Sequence, residues 1–155
     1  MNLETMQAIT AKLKRAKMSK DLATLLSLYH PECQIEMPSL GSSSKGHAQI
    51  AVALGNFAAM FSDYDRELNG SALHGDTFVS WGDAKVTLRG NFGSYEANGK
   101  GATVMTFVLF RFENEQIIYE GHHWDMGTIC RAAGVPVEAV FASLHRPSTP
   151  HNAAV

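Results

Sequence analysis

Apolar residues recur along the first thirty positions at the spacing of helix faces. Leu3, Met6, Ile9 (or Thr10) and Leu13 make one stripe, and Leu22, Leu25, Leu26 and Leu28 restart it after Ser19. Ser19, with Asp21 and Leu22 behind it, reads as the N-cap of the second segment. His30-Pro31 ends that segment, because the residue before a proline is pushed out of the α region. Cys33 to Met37 alternates apolar and polar, the pattern of a half-buried strand. Pro38 and the run GSSSKG predict a loop, with Gly46 as a turn before the next helix. Helical spacing returns from His47 to Phe61, where Ile50, Leu54, Phe57, Ala58 and Phe61 share a stripe.

After Asp63 the texture changes to strands and turns as far as Trp124. Turn signals stand at Trp81-Gly82-Asp83, Ala97-Asn98-Gly99 and Glu113-Asn114-Glu115, and Gly75-Asp76 marks a bend or bulge before them. The long segments between, Lys85 to Phe92, Ala102 to Phe112 and Gln116 to Trp124, are joined to their sequence neighbours by hairpins, which predicts an antiparallel meander. Asp125 then caps a helix through Arg131, Gly134 suits its left-handed exit, and Pro136 opens a short last helix. The fold class is therefore α+β. Long strands twist, so the sheet curves around the N-terminal and middle helices and forms a cone with a hydrophobic pocket at its open end.

Composition narrows the class. A chain of 155 residues points to one domain, over 1–144, with 145–155 a mobile tail that has nothing to bury. A hydrophobic share of 45% can fill a core, and a charged share of 18% is too low for a disordered chain. The net charge of −2 offers no basic stripe to nucleic acid or anionic lipid, and no apolar run is long enough to span a membrane. The amphipathic N-terminus is unlike a signal peptide, and Cys33 and Cys130 are too few for a disulfide framework, so a cytoplasmic location with reduced thiols is expected.

The stretches YHPECQIEMPSL, KGHAQI, FSDYD, FRFENEQIIYE and HHWDMGTICRAAGV, in that order, resemble the SnoaL-like polyketide cyclases of the nuclear-transport-factor-2-like, or ketosteroid-isomerase-like, superfamily. The resemblance covers about residues 20–135. It implies acid–base chemistry on apolar carbonyl compounds, polyketides, steroids or epoxides, without metal or organic cofactor. In the cyclases an aspartate precedes the final helix's capping Asp by three positions. Here that place is held by His122, and the partner histidine's place by Val108. The Arg-x-Asp pair of limonene-type epoxide hydrolases is matched by Arg89 and, in place of the aspartate, Asn91.

Several residues are candidates for that chemistry. Alternation along the last strand puts Ile118, Glu120, His122 and Trp124 on one face, which the family register turns into the pocket. An imidazole there can move a proton at carbon next to a carbonyl, and Glu120 can orient it or accept the proton itself. His122 could equally be a hydrogen-bonded core histidine, with Glu120 facing solvent. Arg89 or Asn91 could contact a substrate oxygen, or Arg89 could pair across the sheet surface. Asp125 is a candidate for catalysis and for capping. Trp124, Phe57, Met60, Met105 and Val108 are candidate ligand-binding walls. Tyr29 and His30 could reach the pocket mouth. His123 and Asp125 share a face, but no third ligand is specified, so no metal is expected. The expected function is a cofactor-independent cyclase, isomerase or lyase acting on an apolar small molecule. The alternative is a non-catalytic ligand-binding or assembly module of the same fold. A homodimer through the convex sheet face, at Tyr119, Gly121 and the strand around 107–112, completes the expectations.

Overall fold

A computed structural model describes residues 1–145; the remainder of the expected tail lies outside the described residues. Helices α1 (Leu3–Ser19) and α2 (Leu22–Leu28) lead into strand β1 (Tyr29–Met37), a short 3-10 turn (Pro38–Leu40), β2 (Ser42–Lys45) and α3 (Gly46–Met60). Long strands β3 (Asp65–His74) and β4 (Thr77–Thr87) follow. A two-residue pair, β5 (Asn91–Phe92) and β6 (Tyr95–Glu96), then precedes β7 (Gly101–Glu113) and β8 (Gln116–Trp124). Helices α4 (Met126–Ala133) and α5 (Val137–Leu144) close the chain.

Six strands form one curved sheet in the order β2-β1-β8-β7-β4-β3. From β3 to β8 it is the expected antiparallel meander; β1 joins β8 in parallel, reached from the other end of the chain. The helices cover the concave face in two apolar clusters. One gathers Met6, Leu13, Leu25, Ile50, Phe78, Val108 and Ile117, and the other gathers Phe61, Val86, Trp124, Ile129 and Val140. Glu120 and His122 lie on β8 between them.

Several local expectations are corrected. Trp81-Gly82-Asp83 is not a turn but the middle of β4, and the chain reverses instead at Gly75-Asp76, where Gly75 takes φ +61°. Gly82 serves close approach: opposite it the register slips between Leu68 and Gly70, and a Cβ on Gly82 would lie 1.9 Å from the Glu67 carbonyl oxygen. The strand expected over Lys85–Phe92 ends at Thr87. The serine run is not a loop, since Ser42–Lys45 pair with Gln34–Met37 and satisfy their backbone groups in the sheet. Asp21, rather than Ser19, caps α2 by accepting the Thr24 amide at 3.0 Å.

Candidate functional site

The site is built where α1 crosses β8. Pairing of β7 with β8 slips between Arg111 and Phe112, so Ile117 rather than Ile118 takes the inward position. The inner face of β8 is therefore Ile117, Glu120, His122 and Trp124, all buried. Val108, the neighbour of His122 across the strands, is packed in the core. From the helix layer, Lys17 brings Nζ within 2.5 Å of Glu120 Oε1 and 3.3 Å of His122 Nε2. His122 Nε2 also meets Glu120 Oε1, and Tyr29 donates its hydroxyl to Glu120 Oε2. Glu120 and Tyr29 are sealed from solvent, whereas the side chains of Lys17 and His122 keep 10% and 7% of their surface exposed.

These contacts decide the protonation states. Burial alone would push the Glu120 carboxyl up, but the Lys17 charge, then the His122 ring, hold it well below the usual carboxylate range. Burial, reinforced by Lys17, lowers the His122 imidazole and outweighs the upward pull of Glu120. Tyr29 is raised by burial and by the negative charge beside it. The resting site is thus a lysine–glutamate ion pair, a neutral imidazole and a neutral phenol. With Nε2–H donating to the carboxylate, the imidazole proton is used up. Nδ1 keeps its lone pair and has no hydrogen-bond partner among the described residues.

A cavity of about 650 Å³ opens beside this group, with Lys17 and His122 in its wall. Ile35, Met37, Leu40, Phe57 and Met60 make its apolar side, and Ser42, Ser43, Ser44, Gln49 and Asn56 a polar one. A second cavity of about 210 Å³ lies on the other side of Lys17 and Phe57, bounded by Phe61, Asp63 and Tyr64. Trp124 stands behind these rings, with Phe57 stacked on it at 5.9 Å and Phe61 edge-on at 4.9 Å.

The remaining candidates lie elsewhere. Arg89 is exposed and donates Nε to Ser62 Oγ at 2.8 Å; Asn91 is exposed on β5, so neither can contact an oxygen in the cavity. Both follow the end of β4, where the chain has left the concave face. Met105 is 52% exposed, because alternation along β7 turns it to the convex side, so it lines no pocket. Val108 is core, not cavity wall, because the packed cluster closes over it. Asp125 is an exposed cap that accepts the Thr128 amide at 3.0 Å and the Thr128 hydroxyl at 2.5 Å. No three His, Cys, Asp or Glu side chains converge on a metal site among the described residues. Tyr29 sits beneath the site rather than at its mouth. Lys17 escaped the sequence reading, although a signal existed: the buried stripe of Met6 and Leu13 continues at Ala16 and Lys17, placing a lysine where an apolar residue is due.

The family model of the SnoaL-like domain matches residues 12–120. Among solved structures, an NTF2-like protein of unknown function from Burkholderia pseudomallei shares 21% identity at a TM-score of 0.70, over 86% of this chain and 98% of that one. A putative SnoaL-like polyketide cyclase from Shewanella putrefaciens gives 0.73 at 14% identity, over 86% and 98%. IdmH, a putative polyketide cyclase from Streptomyces antibioticus, gives 0.69 at 20%, over 83% and 98%. At these identities the likeness is one of fold, an NTF2-like α+β cone. No curated protein matches the chain.

Proposed function

The chain belongs to the SnoaL-like domain family, and from that premise we propose that it is a cofactor-independent enzyme moving a proton on an apolar, carbonyl-bearing small molecule. Cyclisation, isomerisation or dehydration would follow. His122 Nδ1 takes the proton from the carbon next to the carbonyl. Glu120 fixes the tautomer through Nε2–H and stabilises the imidazolium that forms. Removing the proton leaves negative charge on the substrate, and the Lys17 ammonium is the nearest positive charge to offset it. Phe57 and Met60 supply the apolar wall. The observation that carries the reading is a histidine ring with one nitrogen engaged by a buried carboxylate and the other without a partner, beside a largely apolar cavity.

The competing reading is a ligand-binding module, favoured by the cyclase dyad positions holding Val108 and His122. Deuterium uptake from heavy water into enolisable ketones, followed by NMR, separates the two. Because His122 is lowered from 6.5, exchange should rise with pH below that value and level off above it. His122→Gln should reduce it by roughly 10²–10⁴-fold. Ketone binding without exchange at any pH leaves the module.

Residues 1–144 act, in this reading, as one domain in the cytoplasm, where the buried, unpaired Cys33 and Cys130 stay reduced. The convex face exposes Phe107 at 46%, beside Trp81, and Met105 at 52%, which supports a homodimer through it. A sedimentation mass near 16.9 kDa would refute the dimer.

A further inference from the structure

We infer that Trp124 is the hydrogen-bond donor for the ligand's carbonyl oxygen. The ligand is accordingly an enolisable ketone or aldehyde whose oxygen lies against the indole edge while its acidic carbon faces His122. The inference rests on the proposed pocket chemistry and specifies its substrate class. It starts from an anomaly. Trp124 is 7% exposed, and its Nε1–H is the one fully buried side-chain polar atom without a partner among the described residues. Such groups are rare in folded proteins, because a donor taken out of water and left unpaired is costly. The rings packed on the indole, Phe57, Phe61 and Tyr64, offer no acceptor in contact with Nε1. Their π faces are the intramolecular alternative, and a weak one.

A second observation concerns charge. Across the strands Trp124 is paired with Thr106, whose hydroxyl accepts Nε–H of Arg66 at 2.7 Å. The other contacts of this half-buried guanidinium go to Ser80 Oγ at 3.2 Å, and no described carboxylate pairs with it. The Arg66 guanidinium, reaching over β4 from β3, therefore lies against β7, the strand beside the one that carries the unpaired indole N–H. Both suit an oxygen that becomes negative as an enolate forms. The third observation is spacing. His122 and Trp124 project from the same strand face with ring centroids 6.3 Å apart, a span that a C–H carbon and its adjacent carbonyl can bridge. Phe57 and Phe61 stand between the open cavity and the indole. Phe57 stacks on the indole face and Phe61 meets it edge-on, so access of a ligand to Nε1 requires both rings to swing aside.

The test uses two probes of nearly equal shape, 2-acetonaphthone and 2-ethylnaphthalene, which differ in the carbonyl. The native protein should bind the ketone at least about fivefold more tightly, the worth of one hydrogen bond. Trp124→Phe should bring that ratio close to one. In the native protein the indole ¹⁵N–¹H spectrum has two signals, from Trp81 and Trp124. The Trp124 signal should shift with the ketone and not with the hydrocarbon, a readout that holds even if the variant folds poorly. A ketone preference that survives Trp124→Phe and vanishes in Lys17→Met would overturn the inference while leaving the pocket chemistry standing. A ketone that binds with the Trp124 signal unmoved would overturn it too. Binding of neither probe would remove the pocket reading and this inference together.

Discussion

Replacing Glu120 by Gln removes one charge from the buried group and keeps the shape. Lys17 would then hold an ammonium, at 10% side-chain exposure, whose counter-charge is gone. Breaking a buried pair from one side costs about 3–5 kcal/mol. For a chain of this size that is a fall in Tm of about 6–20 °C, at ~2–4 °C per kcal/mol. It is also a large share of the ~5–15 kcal/mol that holds a typical domain folded. The assay is urea unfolding followed by Trp fluorescence at pH 7, with Lys17→Met and the double variant alongside. Because the double variant leaves no orphaned charge, it should recover at least ~2 kcal/mol of the loss. Chemistry should fail as well. The Gln amide can donate to His122 Nε2, which moves the ring proton to Nδ1 and removes the base. A Glu120→Gln protein within about 1 kcal/mol of the native one, or a double variant no more stable than the single, would refute the ion-pair reasoning.

Further outcomes follow from the same geometry. His122 is lowered from 6.5 and Glu120 from 4.5 on folding, so the unfolded chain binds more protons below each value. Stability should therefore fall as the pH drops below about 6.5 and again through the carboxylate range; urea midpoints across pH 3–8 measure it, and the upper step should be missing in His122→Gln. Gly82→Ala would set a Cβ 1.9 Å from the Glu67 carbonyl. The backbone must shift, at a cost of about 1–3 kcal/mol or more, seen as a lowered Tm in calorimetry. Asp125→Ala should lower the Tm through loss of the α4 cap while leaving binding of 2-acetonaphthone unchanged. A parallel loss of binding would mean that the carboxylate serves the site after all.

Local chemistry made much of this molecule legible in its sequence. The helix stripes, the Asp125 cap and the left-handed exit at Gly134 depend on residues three or four apart, and the structure bears them out. Alternation along the last strand likewise put Glu120, His122 and Trp124 on one inner face. Alternation could not register the slip that exchanges Ile118 for Ile117, because a bulge is a relation between two strands. It also could not tell that Gly82 serves a close approach to Glu67 rather than a turn. The partners of the site were the least legible. Lys17 and Glu120 are 103 positions apart and Tyr29 and Glu120 are 91, distances over which no periodicity carries information. Only the folding of α1 and β1 onto β8 creates that ion pair. With it come the charge on Glu120, the neutrality of His122 and the orientation of its ring, because burial and neighbouring charge, not residue type, set which protons a side chain holds.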